Sequence, residues 1–106
     1  MPPNNDYTET VKEPVLKQVN ERLSKSFTDV RHLEKSPSDI ELLFHYGLYK
    51  HLTTGPNESE RPTSIIDIKR KAKWDAWNMF DRLGLTSEQA EEMYVKFVAD
   101  LKRRYT

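Results

Sequence analysis

Apolar positions along this chain recur at helical spacing almost from end to end. Val15, Val19, Leu23, Phe27 and Val30 fall on one stripe of a first helix, since neighbours three and four apart share a helix face. That helix is predicted to start near Pro14, a residue suited to a first turn, and to run towards Glu34. The segment KSPSD is a stop and a restart. Ser38 with Glu41 forms a capping box, each side chain satisfying an amide that the helix start leaves open. The second helix continues to about Thr54, with Gly55 as its left-handed stop, and carries Ile40, Phe44 and Leu48 as a core stripe. A polar connection with two prolines follows, GPNESERPTSII. It is longer than antiparallel neighbours need, so the second and third helices are expected to run parallel. Asp67 is the candidate N-cap of the third helix, which ends at Gly84. Thr86 and Gln89 make a second capping box. Beyond it Ala90, Met93, Tyr94, Phe97, Val98 and Leu101 repeat every three or four residues. With three glycines and no sustained period-two alternation, the pattern predicts an all-α fold, a four-helix bundle.

Composition narrows the function classes. A chain of 106 residues suits one domain with a modest core. Seventeen Lys and Arg balance seventeen Asp and Glu, which argues against bulk electrostatic binding to nucleic acid. There is no cysteine, hence no disulfide framework. No apolar run approaches the roughly 20 residues that cross a bilayer, and MPPNNDYTET carries neither a signal nor a transit pattern. The expectation is a soluble, cytoplasmic protein without an integral membrane span, its first dozen residues loosely ordered. His32, His45 and His51 form no metal-ligand spacing, and no serine or carboxylate pair is positioned to act with them. They are expected at the surface or its boundary, with no catalytic or metal site and no enzyme activity.

The stretch KRKAKWDAWNMF, from Lys69 to Phe80, changes the picture. On a helical wheel Lys73 falls among the core-side aromatics. Lys69, Arg70, Lys71 and Lys73 crowd the start of the helix, where the macrodipole disfavours each cation by about 0.3–1 kcal/mol. A bound anion would reverse that sign. Trp74 and Trp77 are expected to pack between helices. In the second helix Tyr46, Tyr49 and Lys50 share a face with Leu42 and Thr53. Half-buried tyrosines beside a snorkelling lysine would account for this. So would a stacking surface for a base that carries phosphate. A single-stranded nucleic-acid or nucleotide-binding helical module is the alternative within that second reading, and a purely structural bundle stands beside both.

VRHL, LLFHYGLYK, ERP, KAKWDAW and LKRRY, in this order and with nearly the expected gaps, are similar to the acyl-CoA-binding protein family over residues 21–106. The resemblance divides the chain into an N-terminal extension, 1–20, and an acyl-CoA-binding domain, 21–106. It implies an up-down-down-up bundle and a monomeric carrier and pool former for medium- to long-chain acyl-CoA esters. Such a carrier needs no cofactor, binds no nucleic acid and does no chemistry on its ligand. Carried over by position, Tyr46, Tyr49 and Lys50 correspond to contacts with adenine and phosphates, and Lys73 to the lysine that meets the 3′-phosphate. Lys69 matches a lysine near the head group and Tyr94 a ring-stacking tyrosine. Arg31 stands where the family more often has lysine. Val30 and Leu43 would line the acyl path, and Phe27, commonly a small residue, would reshape that groove. Two further departures are one residue inserted around Thr63 and Ser64, and a longer link, MFDRLGL, between helices three and four.

Overall fold

The structure, a computed structural model, describes residues 21–106. Four helices follow one another: α1, Glu21–Asp29; α2, Asp39–Thr53; α3, Ile68–Leu83; and α4, Ser87–Tyr105. No strand occurs among the described residues. The predicted start near Pro14, the stripe positions Val15 and Val19 and the loosely ordered first dozen residues lie outside them. The first helix stops short of Glu34. Its α-helical hydrogen bonding ends at Asp29, and a 3-10 turn, Val30–His32, follows, a common way to tighten a last turn.

Side-chain pairings give the directions. Tyr46 meets Lys73, Lys50 meets Trp77 and His51 meets Asp81, so α2 and α3 are parallel. Glu41 meets Tyr105 while His45 meets Tyr94, so α4 opposes α2. Arg22 pairs with Glu92 and Asp29 with Lys102, so α1 and α4 are parallel. The bundle is up-down-down-up, and the long connection is what lets α2 and α3 point the same way.

Local chemistry sets most of the helix ends. Both capping boxes form: Ser38 Oγ accepts from the Glu41 amide at 3.2 Å, and Thr86 Oγ1 accepts from the Gln89 amide at 3.1 Å. Gly55 and Gly84 take the positive φ values, 96° and 66°, that a side chain would strain. Asp67 occupies the N-cap position of α3, but its carboxylate caps no amide. It accepts from Arg70 at 2.7 Å instead, because a cation one turn on competes better for it. The MFDRLGL segment does not lengthen the link as expected, since α3 continues to Leu83 and leaves only Gly84, Leu85 and Thr86 between helices.

The core takes Leu23, Phe27 and Val30 from α1, Leu48 and Tyr49 from α2, Phe80 from α3, and Ala90, Tyr94, Val98 and Leu101 from α4. Phe44 is partly buried and bridges α3 and α4, its ring 5.1 Å from Phe80 and 4.6 Å from Phe97. Ile40, expected in the same stripe, is exposed in the first turn of α2. The end of α4 is tied to the start of α2 through Glu41, which takes the Tyr105 hydroxyl at 2.6 Å and the Arg104 guanidinium at 2.5 Å. The Tyr105 bond, with the Ser38 amide next, holds the Glu41 carboxyl down at about 2.

Gly47 sets the spacing of α2 and α3. A Cβ there would lie 2.5 Å from the Ala76 carbonyl oxygen and 2.9 Å from the Phe80 ring. Gly47→Ala gains about 1 kcal/mol of helix propensity but forces the two backbones apart, an overpacking cost of about 1–3 kcal/mol. The expected net is a loss of stability of up to about 2 kcal/mol, read as a lower midpoint in chemical denaturation. A raised midpoint would mean that the helices separate freely.

Candidate ligand-binding site

One side of α3 stitches down the connection that precedes it. The Trp77 indole donates to the Gly55 carbonyl at 2.8 Å and the Trp74 indole to the Ser59 carbonyl at 3.0 Å. Asp75 takes the fork of Arg61 through two bonds of 2.9 Å, which holds its carboxyl below the usual range. Asp81 accepts the Asn57 amide at 2.6 Å and lies 3.1 Å from His51 Nδ1. The tryptophans lie at the seam of α2 and α3 but outside the main core, with Trp77 under the Lys50 ammonium of α2. Each is partly buried and anchors the connection through its one polar atom. Asp75, exposed on α3, anchors the ERP segment through Arg61.

This stitching leaves a recess of about 250 Å³ between α2, the connection and α3, with Tyr46, Pro62, Arg70, Lys73, Trp74 and Trp77 in its wall. The Lys73 ammonium stands 5.4 Å from the centre of the Tyr46 ring, and the Lys50 ammonium 5.0 Å from that of Trp77. Ammonium groups over ring faces are attracted by about 0.5–2 kcal/mol. Both lysine head groups thus rest on aromatic rings. Lys50 is buried, and no ion pair engages it among the described residues. Lys69 is exposed in the first turn of α3 and does not line the recess; Arg70 does. The sequence placed Arg70 only among the crowded cations at the helix start and gave it no ligand contact of its own. Its spacing held the signal, because Arg70, Lys73, Trp74 and Trp77 stand at i, i+3, i+4 and i+7, one helix face.

The remaining site candidates gather where α1, α2 and α4 meet. The Phe27 ring sits edge-on to Tyr49 and to Tyr94, both at 5.1 Å. Phe27 and Val30 are core residues, Leu43 is half-buried, and Arg31 is exposed in the 3-10 turn. Tyr49 is buried rather than wet, and burial pushes its hydroxyl pKa up against the opposing charge of Arg31. Tyr94 is fully enclosed. Burial first and Tyr49 second raise its pKa, again with Arg31 opposing. Its hydroxyl lies 2.6 Å from His45 Nε2, and its ring, enclosed by Phe27, His45 and Tyr49, presents no face for stacking in this conformation. His45 itself overturns the surface expectation for the histidines. It is buried, and burial drags its pKa from 6.5 to about 3, which keeps the imidazole neutral. His51 sits at the boundary and His32 is exposed. Tyr49 and Lys50, consecutive on α2, connect this cluster to the recess.

Among the described residues no group of His, Asp and Glu is placed to hold a metal, and no helix is long and apolar enough to cross a membrane.

The comparisons with known proteins agree with one another. The family model described as acyl CoA binding protein matches residues 16–98, beginning five residues before the expected boundary at 21. A protein from the genus Hypsibius, provisionally named an acyl-CoA-binding protein, is 49% identical over 83 residues, 78% of this chain and 90% of that one. An acyl-CoA-binding protein homolog of Drosophila melanogaster is 39% identical over 87 residues, 82% of this chain and 98% of that one. The crystal structure of acyl-CoA-binding protein 2 from Oryza sativa superposes with a TM-score of 0.70 at 31% identity, covering 84% of this chain and 92% of that one. By this match over most of its length, the chain belongs to the acyl-CoA-binding protein family.

Proposed function

We propose that this protein binds one acyl-CoA ester as a carrier and does no chemistry on it, as is usual in a family of binding proteins rather than enzymes. The observation that supports this reading best is the pair of lysines, Lys50 and Lys73, held over aromatic rings beside a recess that Arg70 completes. A densely anionic nucleotide head suits such a recess, because charge-assisted bonds to phosphate contribute about 1.5–3 kcal/mol each. Tyr46 is then the base contact and Lys73 the 3′-phosphate contact, while Tyr49, buried at 2% exposure, reaches the base only if its packing against Phe27 and Tyr94 opens. Arg31 and Lys69 act from the rim. Leu43, Val30 and Phe27 border the acyl path. Tyr94 joins the ligand only if its contact with His45 opens. The ligands are medium- to long-chain esters, the working form is a monomer in the cytoplasm, and residues 1–20 are an extension of the binding domain.

Calorimetry with CoA esters of increasing length tests this. Each methylene buried contributes about 0.8 kcal/mol at most, so affinity is expected to climb with chain length and then level off as the groove fills. A flat series removes the groove. A labelled single-stranded oligonucleotide that displaces the ester would favour the nucleic-acid alternative instead.

A further inference from the structure

Three large apolar side chains stand in water within four residues of one another. Ile65 is 86% exposed, Ile66 89% and Ile68 71%. Ile65 and Ile66 are the central residues of a turn, closed by the Asp67 amide donating to the Ser64 carbonyl at 3.2 Å. Turn centres in water favour Gly, Pro, Asn, Asp and Ser, each for a backbone reason. Isoleucine offers none of them, so turn chemistry does not explain this pair. Ile40, 79% exposed, opens α2, and the pairing of Tyr46 with Lys73 puts it at the same end of the bundle.

Cations surround this tip. Lys69, Arg70 and Lys71 fill the first turn of α3, against its dipole. Arg70 holds Asp67, while no ion pair engages Lys69 or Lys71 among the described residues. The tip is apolar and stands out in water, its isoleucines lining no recess of their own among the described residues. It suits a fluid interface, which closes around whatever enters it. The cationic collar selects an anionic one.

We propose that the segment from Ser64 to Lys71 docks the protein onto anionic lipid surfaces. The isoleucines enter the boundary between headgroups and acyl chains, and Lys69, Arg70 and Lys71 meet lipid phosphates. Because Arg70 also lines the recess, a docked molecule holds that recess against the membrane. The docking itself does not depend on what the recess binds.

Co-sedimentation of the full chain, without acyl-CoA, on phosphatidylcholine vesicles with and without about a third phosphatidylserine tests the proposal. Binding is expected on the anionic vesicles, about tenfold weaker on the neutral ones, and weakened again by high salt. Ile65→Asn with Ile66→Asn is expected to lower partitioning at least about tenfold with the thermal midpoint unchanged, because neither side chain is packed. Lys71→Gln is expected to weaken anionic binding severalfold and leave neutral binding alone. Failure of the wild type to sediment, or undiminished binding of the double variant, overturns the proposal. So does a double variant that keeps vesicle binding and loses palmitoyl-CoA affinity in vesicle-free solution, since the isoleucines would then belong to the ligand groove. A wild type that dimerises through these residues and ignores vesicles makes them a contact between copies, and the lipid proposal falls.

Discussion

Between pH 7 and pH 5 the protein is expected to lose about 2 kcal/mol of stability through His45 alone. In the unfolded chain this imidazole titrates near 6.5, whereas burial in the folded protein lowers its pKa to about 3. A depressed folded pKa contributes stability that is present above 6.5 and is lost as the pH falls towards 3, because only the unfolded chain accepts the proton. The slope approaches about 1.4 kcal/mol per pH unit inside that window, so the loss reaches about 3 kcal/mol near pH 4. That is a large share of the 5–15 kcal/mol typical of a domain. Carboxylates such as Asp29 and Glu41, whose folded pKa values are also lowered, add their own losses at lower pH. A variant therefore isolates the histidine. His45→Gln keeps a polar atom near the Tyr94 hydroxyl and does not titrate. Denaturant unfolding at pH 7, 6 and 5 is expected to show the wild type falling about 2 kcal/mol further than the variant. Parallel pH profiles would mean that water reaches His45 and that the buried contact with Tyr94 opens readily.

Lys73→Ala is expected to weaken binding of CoA esters by about 10- to 100-fold, the range of one charge-assisted hydrogen bond to phosphate. Its stem leaves α3 beside the recess and its ammonium rests 5.4 Å from the Tyr46 ring, so little side-chain freedom remains to be lost on binding. Esters that lack the 3′-phosphate are expected to lose little affinity in the same variant, because the bond removed is absent from them already. Lys73→Arg should recover part of the loss, since the charge remains while a planar fork replaces a point donor. Tyr46→Leu, which removes the ring and leaves the charge, should cost less than Lys73→Ala. Equal losses for the two ester classes in Lys73→Ala would show that this lysine meets a different part of the ligand.

Burial by tertiary neighbours explains where the sequence reading of the site fell short. Position 45 reads as a boundary histidine on the α2 wheel, but α4 brings Tyr94 onto it. Trp74 and Trp77 read as core because they are large and apolar, yet their indole donors sit where the returning connection needs them. Arg70 reads as one more exposed cation until that connection folds over the adjacent face of α3 and leaves a recess with the arginine in its wall. The combination of Tyr46, Lys50 and Lys73, in contrast, is legible in the residue order itself. Parallel α2 and α3 bring these residues round the same pair of tryptophans, and the parallel direction followed from the length of the connection.

By itself the amino-acid order determined the helical content, the two capping boxes, the glycine stops and the apolar stripes, because each depends on residues within one or two turns of each other. It also determined the family, through short motifs whose spacing survives divergence. Only the tertiary structure decided which stripe positions are truly covered, leaving Ile40 in water and enclosing His45. It alone turned Asp75 and the two tryptophans into anchors for a distant segment and left Ile65 and Ile66 exposed at a turn. Those outcomes depend on which surfaces separate helices present to one another across tens of residues, and no local periodicity encodes that.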